Sequence, residues 1–169
     1  SDLSRYQGVK ASVADSSIVS AVATTSAVPG SYSIEVKQLA QAHKLASRAF
    51  TNTTDTVGTG TLTIQFGTFS GTFTANAAKA TQTVTIDSAH ATLAGVRDAI
   101  NAAKIGATAT ILNDGTGNKL VLTSNDTGAA NSFKITVADT SDISNTDNAG
   151  LSQLAYDPAR TRVMSCGGL

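Results

Sequence analysis

Thr61-Leu62-Thr63-Ile64-Gln65-Phe66 places an apolar side chain at every second position with a polar one between, and this period decides the fold class. Successive side chains of an extended chain leave opposite faces of a sheet, so Leu62, Ile64 and Phe66 turn to a core while Thr61, Thr63 and Gln65 meet water. The same pattern recurs on both sides of this stretch. Tyr32, Ile34 and Val36 alternate with Ser33, Glu35 and Lys37, and Val84 and Ile86 alternate with Thr83 and Thr85. Leu120 and Leu122 alternate with Val121 and Thr123, and Phe133, Ile135 and Val137 alternate with Ser132, Lys134 and Thr136. One buried and one wet face per strand is the pattern of antiparallel sheet.

Between Ile111-Leu112 and Lys119-Leu120 lies Asn113-Asp114-Gly115-Thr116-Gly117-Asn118. Its Asn, Asp and Gly residues tolerate the positive φ angles of tight turns, which predicts a β-hairpin. One segment has a different period. From Thr92 to Lys104, Leu93, Val96 and Ile100 share a helical face with Ala99 and Ala103 beside them and Arg97, Asp98 and Asn101 opposite. Thr92 is the expected N-cap and Gly106 the expected left-handed terminator. From Val36 to Ala49, Leu39, Ala42, Leu45 and Ala49 could also share a helical face, but Tyr32 to Gln38 reads better as strand; Ala40 to Phe50 is therefore expected to be extended or mixed.

The expected class is mainly β (α+β): antiparallel sheets with one short amphipathic helix at about 92–104, in two small β-rich subdomains. Val28-Pro29-Gly30, the run from Asn52 to Gly60 and the polar stretch from Thr140 to Gly150 punctuate the chain. They predict an inserted subdomain over 58–145 and an outer one made from 1–57 plus 146–158. Residues 159–169, which contain the lone Cys166, are expected to be a disordered tail.

Composition excludes several functions. Twelve basic residues cancel twelve acidic ones among 169, so no basic patch is available to release counterions from DNA or RNA. No apolar run approaches the roughly 20 residues of a transmembrane helix. A single cysteine cannot form an intramolecular disulfide, and Ser1-Asp2-Leu3-Ser4-Arg5-Tyr6 has neither the basic start nor the apolar run of a secretory signal.

Chemistry-bearing motifs are equally scarce. Gly58-Thr59-Gly60-Thr61 leads into a strand, whereas a phosphate loop opens a helix. Asp142, Ser144, Asn145, Asp147 and Asn148 supply oxygens without the closing bidentate acid of a calcium loop. His43, His90 and Cys166 are far apart in sequence, and the histidines read as solvated surface residues rather than zinc ligands. There is no Gly-x-Ser-x-Gly elbow and no distinguishable carboxylate pair. Asn52-Thr53-Thr54 and Asn125-Asp126-Thr127 match the glycosylation acceptor pattern, as chance allows in a chain so rich in Thr and Asn. No catalytic, cofactor-binding or metal-binding residue is expected.

Thr92-Leu93-Ala94-Gly95-Val96-Arg97-Asp98-Ala99-Ile100-Asn101, then Ala107 to Ile111, Asn113-Asp114-Gly115 and the run from Leu120 to Asn131, resemble the hook-region repeat of flagellar axial proteins. Gly8 to Asp15 and Pro29 to Ala42 resemble the segment that precedes the repeat in the bacterial filament-capping family, hook-associated protein type 2. The likeness covers most of residues 8 to 158. It implies a non-enzymatic head fragment of a cap at the filament tip, extracellular, exported by the flagellar route, with flagellin and further copies of itself as partners. It also implies no nucleic acid or membrane partner and no cofactor. The family's helical leg, made from both chain ends, has no match here, so the resemblance implies head only; the sequence shows no heptads and no long apolar run, so this fragment is expected to be monomeric at micromolar concentration.

The repeat carries its motif at Leu93, Val96, Ile100, Asn101, Asn113, Asp114, Gly115, Leu120, Leu122, Thr123, Ser124, Asp126, Thr127 and Gly128. Five of these, Leu93, Val96, Ile100, Leu120 and Leu122, are expected in a core, and Asn113, Asp114 and Gly115 in a turn. The alternative readings are a secreted adhesin or carbohydrate-binding module, which needs exposed aromatics, and another axial protein such as flagellin or a junction protein.

Overall fold

The computed structural model describes residues 11, 12, 22, 40–141, 145 and 147–159. The strand expected over Tyr32 to Lys37 and the tail from 160 onward lie outside the described residues. The chain divides into two compact units, Ser1–Leu39 and Ala40–Leu169, and the elements below belong to the second.

They run β1 (Ala42–Ala46), β2 (Gly60–Ser70), β3 (Thr72–Ala75), β4 (Gln82–Ile86), α1 (Leu93–Ala103), β5 (Ala107–Asn113), β6 (Asn118–Thr127) and β7 (Ser132–Asp139). Short 3-10 turns follow at Ala129–Asn131 and Gly150–Leu154. A three-stranded sheet has the order β1-β6-β5. In the second, four-stranded sheet β2 is central, paired with β3, β4 and β7. All these pairings are antiparallel, as the alternation predicts. Gly67 faces Ala75 on one side and Ser132 on the other, while Leu62 lies between Val84 and Val137, so β3 and β4 occupy the same edge of β2.

The core receives the side chains that period two assigns to it. Leu62, Ile64 and Phe66 meet Val84, Ile86, Phe133, Ile135 and Val137 from their own sheet and Leu45, Ala107, Ala109, Leu120 and Leu122 from the other. Helix α1 adds Leu93, Val96 and Ile100, all essentially inaccessible. Leu62, Ile64, Ile100, Leu120, Leu122, Ile135 and Leu154 surround a void of about 10 Å³, no larger than a single water.

The same core takes in Phe50, Val57, Leu151, Leu154 and Tyr156. These residues come from the flanks that the sequence assigns to an outer subdomain, and they pack in continuity with 58–141. Backbone bridges Phe50 to Asn118, Thr56 to Thr92 and Ile135 to Tyr156 fasten the flanks.

Three local details refine or correct the sequence expectation. The segment held open over Ala40 to Phe50 forms β1, because its Leu45 pairs with Leu122 over the core. Helix α1 ends on Lys104, a left-handed residue at φ 50°, and not on Gly106, although Gly106 also has positive φ at 82°. Strand β3 carried no alternating signal, since it is exposed on both faces apart from Phe73.

Candidate assembly surface

The motif residues divide between core, ties and turn. Leu93, Val96, Ile100, Leu120 and Leu122 are buried, and Ile100, Leu120 and Leu122 line the small void in the core. Asn101, at the end of α1, turns its carboxamide to the outer edge of β5: Nδ2 donates to Ala109 O at 2.9 Å and Oδ1 accepts from Ala109 N at 2.8 Å. One side chain thus replaces a neighbouring strand.

At the β5–β6 hairpin Asn113 pairs with Asn118, leaving Asp114 to Gly117 as the tip. Asn113 Oδ1 accepts from Gly115 N at 2.9 Å, and Asp114 Oδ1 accepts from Thr116 N at 3.0 Å and Thr116 Oγ1 at 2.6 Å. Lys119 Nζ lies 2.5 Å from Asp114 Oδ2. Hydrogen bonds from Lys119 and from the Thr116 hydroxyl and N–H hold the Asp114 carboxyl well below the usual carboxylate range.

Further along β6, Thr123 is half-buried and Ser124 buried, its hydroxyl donating to Asp126 O at 2.9 Å. The exposed Asp126 pairs with Lys79 at 2.5 Å, and that ammonium sits 4.3 Å from the centroid of Phe66. Thr127 O accepts from Asn131 Nδ2 at 2.8 Å, and Gly128, at φ 98°, donates its N–H to Gln41 O at 3.1 Å.

Several polar ties escaped sequence reasoning because their partners are distant in the chain. Buried Gln153 donates to Val57 O at 3.1 Å and to Gly150 O at 2.6 Å, and its Oε1 accepts from Arg48 Nε at 2.5 Å. Ser47 Oγ accepts from Leu120 N at 2.9 Å. Asp139, at the end of β7, accepts from Ser152 N at 2.8 Å, Ser152 Oγ at 3.0 Å and Ser141 N at 2.8 Å, and also from the Ser141 hydroxyl. Burial pushes the Asp139 carboxyl up, but these hydrogen bonds outweigh it and hold the group below its ordinary value.

His43 is not the solvated surface residue expected, whereas the His90 side chain is 45% exposed. His43 Nδ1 accepts from Phe133 N at 3.0 Å, and its ring lies 5.4 Å from Phe133 and 5.7 Å from Tyr156. His90 is half-buried, with Nδ1 2.7 Å from Asp87 Oδ1. Among the described residues no three His, Cys, Asp or Glu side chains gather as metal ligands, and no helix is long and apolar enough to cross a membrane.

The N-terminus of α1 offers no anion site. Its first N–H groups are occupied, Leu93 by Asp55 O at 3.0 Å, Ala94 by Thr53 O at 2.9 Å and Gly95 by Thr92 Oγ1 at 3.1 Å. Most aromatics are consumed by packing: Phe50, Phe66, Phe133 and Tyr156 are buried, and Phe69 is the one exposed aromatic among the described residues. Among the described residues no cluster of exposed aromatics forms the stacking platform that a carbohydrate module requires.

On the outer face of the four-stranded sheet the chain presents threonines beside the half-exposed Lys134. Thr83, Thr85 and Thr136 stand exposed on the outer face of the four-stranded sheet, with Thr61 and Thr63 half-exposed between them. At one end of that sheet the β2–β3 ribbon projects, with Phe69 opposite Phe73 and the turn at Gly71, φ 77°.

A family model described as "Flagellar hook-associated protein 2 N-terminus" matches residues 1–43. The chain is 39% identical to the B-type flagellar hook-associated protein 2 of Pseudomonas aeruginosa, covering 89% of this chain and 30% of that one. It is 34% identical to the flagellar hook-associated protein 2 of Escherichia coli K12, over 93% of this chain and 34% of the relative. The chain therefore spans about a third of the length of these curated relatives.

Its fold is similar to the crystal structure of FliD from Pseudomonas aeruginosa, with TM-score 0.62 and 40% identity over 86% of this chain and 59% of that one. It also matches the D1-D2-D3 domains of the flagellar cap protein FliD from Escherichia coli, with TM-score 0.63 and 32% identity over 79% of this chain and 36% of the other. Fold and sequence together mark the chain as a fragment of a flagellar cap protein. The proteins it is similar to are flagellar hook-associated protein 2 sequences.

Proposed function

We propose that this chain supplies β-rich head structure to a cap at the distal tip of the bacterial flagellar filament, where the cap promotes folding and insertion of flagellin. The observation that carries the reading is the 39% identity to a flagellar hook-associated protein 2 along 89% of the chain. Its role is mechanical and not enzymatic. The partners are flagellin and further copies of the same protein, met outside the cell after passage through the flagellar export route.

On this reading the motif residues from Leu93 to Gly128 specify the fold of the head rather than a binding site, since most are spent on a core contact, an edge tie or a turn. We infer a two-part head, in which the flanks 40–57 and 147–158 are the part of an outer unit (1–57 plus 146–158) that fastens onto the inserted unit (58–145). Assembly contacts then fall to the threonine face and the β2–β3 ribbon. By itself the chain is monomeric at micromolar concentration, because neutral, mostly polar surfaces of this kind contribute little until many copies are held in one ring.

The test replaces residues 40–159 by a short linker in the full-length protein and expresses it in cells lacking a cap. Loss of filament growth, with the wild-type protein restoring it and crosslinking to flagellin at the tip, supports the reading. Filaments of normal length from the deleted protein would refute it.

A further inference from the structure

We propose that the Asp114–Gly115 linkage at the tip of the β5–β6 hairpin is a latent site of spontaneous isoaspartate formation, held shut by Asn113, Thr116 and Lys119. It is the sole Asp–Gly or Asn–Gly pair in the sequence. The tip is open: a Cβ built on Gly115 would meet nothing within 4 Å. Glycine imposes no side-chain obstruction on its own nitrogen, so this is the position where the backbone can turn on its neighbour's carboxyl.

In that reaction the Gly115 nitrogen attacks Cγ of the neutral Asp114 carboxyl, forming an N–Cγ bond as the Cγ–OH bond breaks. The hydroxyl leaves as water with the proton lost from nitrogen, and a five-membered succinimide remains. Water then adds at one of the two ring carbonyls and opens the ring, giving either the original aspartate or isoaspartate, in which the main chain runs through Cβ and Cγ. One water leaves and one returns, and no other reactant is needed.

Both reacting groups are restrained. The Gly115 N–H is committed to Asn113 Oδ1 at 2.9 Å. Asp114 Oδ1 is held by Thr116 N at 3.0 Å and Thr116 Oγ1 at 2.6 Å, and Oδ2 by Lys119 Nζ at 2.5 Å, so the carboxylate cannot rotate freely toward Gly115. The same contacts favour the ionised carboxylate, which lacks the hydroxyl that must depart. An opened site would matter to the fold, because isoaspartate adds a main-chain atom between Asn113 and Asn118. Asn118 is paired to Asn113 and, by two 2.8 Å backbone hydrogen bonds, to Phe50.

Ageing the folded chain and the urea-unfolded chain near neutral pH, with isoaspartate at residue 114 measured by peptide mapping, tests the proposal. Each pKa unit regained multiplies the neutral carboxyl about ten-fold, so the unfolded chain should modify about ten-fold faster or more. The Asn113→Ala/Lys119→Ala double variant, folded by circular dichroism, should close most of that gap. Lys119→Ala alone, which removes the ammonium from Asp114 Oδ2 and keeps the Asn113 contact, serves as the second reading and should accelerate ageing in the folded state. Equal rates in the folded and unfolded wild-type chain, or folded variants that age no faster than wild type, would overturn the proposal.

Discussion

Asn101 and Ala109 exchange two hydrogen bonds between a side chain and a backbone, and this pair closes the outer edge of β5 against α1. An edge strand otherwise presents unpaired N–H and C=O groups, so the amide both docks the helix and satisfies the sheet. Asn101→Ala leaves the two Ala109 groups without that partner and should cost about 1–3 kcal/mol. Asn101→Asp keeps the acceptor but loses the donor. Urea unfolding of both variants checks the order; an alanine variant as stable as wild type would remove the tie from the account.

Leu93 and Leu122 are at 0% and 2% exposure in the shared core. Truncating either to Ala should cost about 2–5 kcal/mol through lost burial and an unfilled space. Thr85→Ala, on the outer sheet face, should fall within about 0.5 kcal/mol of wild type. Thermal melts of the three variants measure the contrast.

Gly95 is set by a close approach and not by its φ. A Cβ there would stand 2.6 Å from His90 Cα and 2.7 Å from His90 C and O. Alanine gains about 1 kcal/mol of helix propensity over glycine in a helix interior. The clash with fixed backbone outweighs that gain, so Gly95→Ala should destabilise, a sign opposite to the propensity expectation. Chemical denaturation gives the sign directly.

Asp139 predicts a dependence on pH. Its pKa is lower folded than unfolded, so the carboxylate contributes stability in full above the unfolded carboxylate pKa, and this is lost as pH falls through the folded value. Asp139→Asn removes the ionised acceptor for Ser141 and Ser152. The difference in unfolding midpoint between wild type and variant should be largest near neutral pH and shrink in acid. A constant difference over that range would mean that the contact is steric rather than ionic.

The amino-acid order by itself determined the strand faces around Leu62, Val84 and Phe133, the amphipathic helix with Thr92 as its cap, and the turn at Asn113 to Asn118, whereas Val121, read as facing water between Leu120 and Leu122, is buried at 5% exposure. Those features are local: whether a side chain is buried is written in a period of two or 3.6, and a turn is written in residues that accept positive φ. The motif run from Leu93 to Gly128 was legible for the same reason, and with it the family. The segment holding β1 was ambiguous, because Ala and Leu at 39, 42, 45 and 49 fit either period until Leu122 offers Leu45 a strand to pair with. Strand β3 was invisible, since a ribbon exposed on both faces has no alternation to show. Only the tertiary structure decided that the flanks share the core of 58–141. Only it showed that His43, Gln153, Ser47 and Asp139 are structural ties, since the first three meet partners 73 to 105 residues away and Asp139 meets Ser152 across a polar stretch. A polar residue looks alike in sequence whether it meets water or a buried partner, and the difference exists only once folding brings the two ends together.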